Sequence, residues 1–100
     1  MRLQSGHFER ARSVVRQWRE DGFDTVVVVR RSVRASHCYP CRRQDVPAGA
    51  VPSWDYYHIP NAQLLGETAP TESTASRAEL WVAATIAYGY VYPAAGAAAL

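Results

Sequence analysis

A single small α/β (or α+β) domain is what this sequence predicts, and three features predict it. Residues 7–21 carry apolar side chains at helical spacing, residues 25–29 form a β-branched run, and Gly22 stands between them. A second apolar run, after Ser76, supplies a closing helix. At 100 residues the chain is bounded to one domain with a small core. An apolar fraction of 48% against 20% charged residues excludes wholesale disorder.

The elements follow in order. Phe8, Ala11, Val15 and Trp18 make one stripe on a helix over 7–21, with Ser5 as its expected cap. Gly22 suits a left-handed C-terminal position, and Phe23 can fold back on the last turn. Thr25 to Val29, with four consecutive valines, reads as a strand buried on both faces. Arg30, Arg31 and Arg34 then lead the chain out of the core. Pro47, Gly49, Pro52 and Pro60 deny a long helix across 42–60. Alternation from Trp54 to Ile59 fits a short strand, and Asn61 to Leu65 a second, ended by Gly66. Residues 66–76 are loop-like, and Ser76 to Glu79 is a capping box before a helix over 77–90. Leu80, Ala84, Ala87 and Val91 are its expected core positions. The domain is therefore expected over 1–93, with an Ala-rich tail over 94–100.

Charge is divided along the chain. Residues 1–43 carry a net +6 and residues 44–100 a net −4. Mutual attraction of the two halves accounts for this more simply than an anionic partner. Arg30, Arg31, Arg34, Arg42 and Arg43 beside Tyr39 are accordingly read as a solvated edge, not a nucleic-acid surface. All eleven basic residues are Arg, which points to a GC-rich coding sequence, bacterial or from a bacterial virus. No apolar leader follows Met1, so a cytoplasmic location is expected. Leu80 to Leu100 is uncharged and long enough to span a bilayer, but Gly89, Pro93 and Gly96 interrupt it. A buried helix followed by a tail is the preferred reading.

Cys38-Tyr39-Pro40-Cys41 is the place where chemistry is expected. Two cysteines three apart can make a reactive thiolate when the first sits at a helix N-terminus, with the second as resolving thiol. His37, Arg42 and Arg43 would add positive potential. The same pair, sixteen residues before His58, also has the start of a zinc-finger spacing; Cys38, Cys41 and His58 are the candidate ligands, with Asn61 in the fourth place. A third reading makes the thiols ordinary packing residues.

The stretch Val26–Val29, then Ala35-Ser36-His37-Cys38-Tyr39-Pro40-Cys41-Arg42-Arg43, resembles the thioredoxin-like thiol–disulfide oxidoreductases. Ile59-Pro60 through Gly66 is similar to that family's cis-proline strand, and Ser76 to Ile86 to its closing helix. The resemblance implies a shortened thioredoxin-like layout, since only 18 residues separate Cys41 from Pro60. It implies Cys38, Cys41 and Pro60 as catalytic residues, a protein disulfide or dithiol as substrate, and no cofactor. The alternatives that stay open are a zinc-stabilised binding module and a non-catalytic interaction or assembly protein. The last would dock a partner, or a copy of itself, through residues 80–100.

Overall fold

The computed structural model describes residues 2–32, 34–46, 56–70 and 75–92. Helix α1 (Ser5–Glu20) precedes strands β1 (Thr25–Val29), β2 (His37–Cys41) and β3 (Tyr56–Pro60). A short helix α2 (Asn61–Leu64), helix α3 (Ala75–Tyr88) and strand β4 (Tyr90–Val91) follow. The sheet runs β3-β1-β2-β4; β1 is antiparallel to both neighbours, and β4 is parallel to β2. The α/β (α+β) expectation holds, with a mixed sheet and helices at both ends of the described chain.

β1 is central because its sequence permits nothing else. Thr25, Val26, Val27 and Val28 are all buried, so neither face of this strand meets water. Val26 and Val28 face the helices, where they join Cys38 of β2 and Tyr57 and Ile59 of β3. Ala11, Val15 and Trp18 of α1, with Ala78, Val82, Ala83 and Ile86 of α3, complete that core. Phe8 and Phe23 pack at its margin. The stripe read on α1 is thus the stripe it buries. Gly22 takes φ 99°, and the Phe23 N–H reaches the Trp18 carbonyl at 3.0 Å, the left-handed helix ending that glycine permits.

Several expectations are corrected. The cap of α1 is Gln4, whose N–H donates to His7 Nδ1 at 3.1 Å, so Ser5 is the first helical residue. Asn61 to Leu64 is a turn of helix, not a strand. Asn61 and Gln63 are both buried in this turn, and the Asn61 side-chain amide donates to the Phe23 carbonyl at 3.0 Å. Helix α3 starts at Ala75, so Ser76 lies within it. Leu80 is 45% exposed, because the buried side of α3 runs through Ala78, Val82 and Ile86. Trp54 and the tail over 94–100 lie outside the described residues. Among the described residues no helix is long and apolar enough to cross a membrane.

Two small hubs lock the sheet ends. At one, Asp24 Oδ1 accepts from the Thr25 hydroxyl at 2.9 Å and from the Arg43 N–H at 2.7 Å, while its carbonyl accepts from the Asn61 N–H at 2.8 Å. At the other, Ser36 accepts from the Thr85 hydroxyl at 3.0 Å through Oγ and from the Tyr90 N–H at 3.0 Å through its carbonyl. Gly89 makes the second hub possible: a Cβ there would lie 2.7 Å from both the carbonyl oxygen and Oγ of Ser36. Gly89→Ala should therefore lower stability by about 1–3 kcal/mol in urea unfolding, the usual cost of overpacking. Gly6→Ala, where a Cβ meets nothing within 4 Å, should cost nothing. Equal stabilities for the two variants would contradict the close packing at Ser36.

Candidate functional site

The Cys-x-x-Cys segment is a strand. β1 offers an edge to β2, and His37 to Cys41 pairs along it residue for residue, with Cys38 opposite Val28 and Cys41 opposite Thr25. A strand alternates its side chains, so positions three apart face opposite sides of the sheet. Cys38 points among the helices and is 0% exposed. Cys41 points to the other face and is half-buried. Three residues of extended chain separate their Cα atoms by about 10 Å, beyond the roughly 7 Å limit of a disulfide. Both thiols are free.

This corrects the expectation that Cys38 opens a helix. It is a residue of β2 and begins no helix. Burial pushes the Cys38 thiol up to about 12, away from thiolate. Cys41 is pushed up to about 11, first by burial and then by the charges of Asp24 and Asp45, which outweigh the opposing pull of Arg43. His37 adds no positive potential: burial and the nearby Arg31 charge lower its pKa and favour the neutral ring. The Ile59–Pro60 peptide is trans. Pro60 sits opposite Thr25 from the β3 side, two strands from Cys41, about 10 Å by strand spacing. The Asn61–Asp24 hydrogen bond places odd-numbered β3 residues toward β1, so the missing N–H of Pro60 falls on the outer edge, where strands tolerate proline.

The zinc set does not converge either. His58 lies opposite Val27, on the face of Cys41, with the sheet between it and Cys38. Among the described residues no three His, Cys, Asp or Glu side chains are placed to hold a metal ion.

What the sheet does gather, on the face away from the helices, is a set of polar rings. His37 and Tyr39 of β2 and Tyr56 and His58 of β3 share that face with Cys41. Burial raises the pKa of Tyr39 and of Tyr56, and the neighbouring thiol of Cys41 raises both further. His58 Nε2 is buried without a hydrogen-bond partner. The rings continue onto β4. Tyr92 meets His37 edge-on at 5.4 Å between centroids, and Tyr90 meets Tyr92 at 4.6 Å. Tyr88, at the end of α3, packs on His7 at 5.4 Å. Tyr88 is 46% and Tyr90 56% exposed.

These tyrosines escaped the sequence reading. The helix expected over 77–90 holds Tyr88 but not Tyr90, which lies in β4; the spacing of two from Tyr90 to Tyr92, after Gly89, is the signal of a strand. The arginines divide: Arg30 stacks on Trp81 at 4.5 Å and Arg42 lies 5.9 Å from the Phe23 ring. Comparison with family models, with curated proteins and with solved structures gives no match for this chain.

Two outcomes test the thiol geometry. Mild oxidation should leave the monomer without an internal disulfide, and at about pH 8 a thiol reagent should modify Cys41 slowly and Cys38 only on unfolding. Rapid labelling of Cys38 in the folded protein would contradict its burial. Stability should also fall in alkali. Both thiols titrate higher folded than unfolded, so their contribution is full below the ordinary value of 9.0 and is lost as pH rises through 9.0 toward 11–12. Urea midpoints should hold to about pH 9 and then drop, and Cys38→Ala should flatten the drop.

Proposed function

We propose that this chain is a protein-interaction domain without catalysis of its own, and that its thiols serve packing. The observation that carries this reading is the tyrosine edge. Tyr88 and Tyr90 stand exposed at the junction of α3 and β4, and each ring is braced by another: Tyr88 by His7, Tyr90 by Tyr92 and Tyr92 by His37. A braced ring loses little conformational entropy on contact, and tyrosine offers apolar area with a hydroxyl at its rim. Exposed tyrosines of this kind are typical anchors of protein contacts.

The redox reading keeps less support. It asks for a reachable thiolate with a resolving partner, and the paired positions lie across the sheet with both thiols held protonated by burial. The zinc reading asks for ligands on one side, and Cys38 and His58 are on two. Interaction through the chain after residue 80 asks for neither.

A photo-reactive phenylalanine analogue at position 90, in the cells that make the protein, should cross-link to one defined partner. The same probe at Arg16, an exposed position of α1, should not. That partner should bind the purified domain, and Tyr88→Ser with Tyr90→Ser should weaken binding at least about tenfold. No cross-link at position 90, or the same products from both positions, would refute the reading.

A further inference from the structure

Charge on the described residues is separated along the strand direction. Arg31 and Arg34 stand in the connection from β1 to β2, and β4 brings Tyr90 to the same end of the sheet by pairing it with His37. Arg2 joins them, since its carbonyl accepts from the Tyr88 hydroxyl at 3.4 Å. Arg31 lies close to His37: burial, and then the Arg31 charge, favour the neutral ring, and that ring packs on Tyr92. Arg34 is two residues from Ser36, whose carbonyl takes the Tyr90 N–H. Arg2, Arg31 and Arg34 are exposed, and none has an ion-pair partner among the described residues. Glu9, in the second turn of α1, is spent on Arg12 at 2.7 Å. Carboxylates gather at the other end of the strands. Glu20 and Asp21 stand where α1 ends, Asp24 leads into β1, Asp45 follows β2, and Glu67 pairs with Arg19.

We propose that the tyrosine edge takes an acidic segment of its protein partner, with carboxylates on Arg2, Arg31 and Arg34 and apolar side chains against Tyr88 and Tyr90. The inference rests on the interaction reading above and adds the chemistry of the segment that docks. Exposed cations with no acid beside them repel one another, and a partner that brings carboxylates removes that repulsion. A basic partner would add to it. Apolar side chains suit the rings, whose hydroxyls stay at the rim. Nucleic acid is the rival polyanion. A nucleic-acid surface commits roughly six to ten phosphate contacts, more than these arginines supply. A strand running on along the sheet would also meet Asp24 and Asp45 after roughly 17 Å, the length of five extended residues. A short acidic segment ends before them.

The test is an amide-resolved NMR titration of the whole chain with a short peptide repeating Glu-Leu-Asp-Phe, with the same peptide carrying Gln and Asn for its acids, and with an oligo-dT of equal length. The acidic peptide should give saturable shifts at the backbone amides of Tyr88 and Tyr90. Its neutral counterpart should bind about tenfold or more weakly, the worth of a few exposed ion pairs together. Affinity for the acidic peptide should fall several-fold as salt rises from about 50 to about 300 mM. Arg31→Gln with Arg34→Gln should weaken it about fivefold at unchanged thermal midpoint, since neither side chain is buried or paired. Arg16→Gln, on the exposed side of α1, should leave it as it was. Absence of saturable shifts up to about 1 mM acidic peptide would overturn the proposal. So would tighter binding of oligo-dT, which would make the edge a nucleic-acid surface. Equal binding of the acidic and neutral peptides would overturn the acidic preference and leave the contact reading standing, whereas a missing cross-link at position 90 would end both.

Discussion

The structure depends on the burial of Thr25–Val29 on both faces. A run of β-branched residues with no polar side toward water needs a neighbour on each edge and a layer on each face. β2 and β3 supply the edges and α1 with α3 one of the layers. Every later property of the candidate site follows from β2 being extended along that edge. Extended chain at Cys38 fixes the direction of each side chain through Cys41, and an interval of three is odd.

That parity decides the chemistry of the thiols. On a helix the same interval would stack both sulfurs one turn apart at the positive end of a dipole. On a strand it sends Cys38 into a hydrocarbon core and Cys41 toward acidic Asp24 and Asp45. One sequence motif thus has opposite electrostatic outcomes under two secondary structures, and here the antiparallel pairing to β1 selects between them. The hub at Asp24 adds to the effect, since the carboxylate that ties β1 to the turn after β2 also opposes ionisation of Cys41.

Much of the scaffold was legible in the sequence. The α1 stripe, the Gly22 ending and the doubly buried β1 each follow from a local pattern that tertiary packing reinforces. The segment at Cys38 was not legible in this way, because His37 to Cys41 has little alternation in polarity; its strand state comes from the edge it pairs with, which lies outside any local window. Asn61 to Leu64 failed for the related reason that four residues carry too little periodicity to separate a turn of helix from a strand. Leu80 misled because α3 has apolar residues on several sides, so its core face was set by packing on α1 and the sheet. Tyr90 and Tyr92 leave a period-two signal after Gly89, at the end of the uncharged run where the helix was expected to reach residue 90.

The thiols are divided between the two faces of the sheet, and the proposed contact surface is the tyrosine edge instead. That division rests on β2 being a strand. Through-space proton contacts measured by NMR test that most directly. The account predicts cross-strand backbone contacts in antiparallel register between 25–29 and 37–41, with the Cys38 β-protons near Val82 or Tyr57. Sequential amide–amide contacts running on from Cys38 through Arg42, the pattern of a helix carrying both thiols on one side, would contradict it.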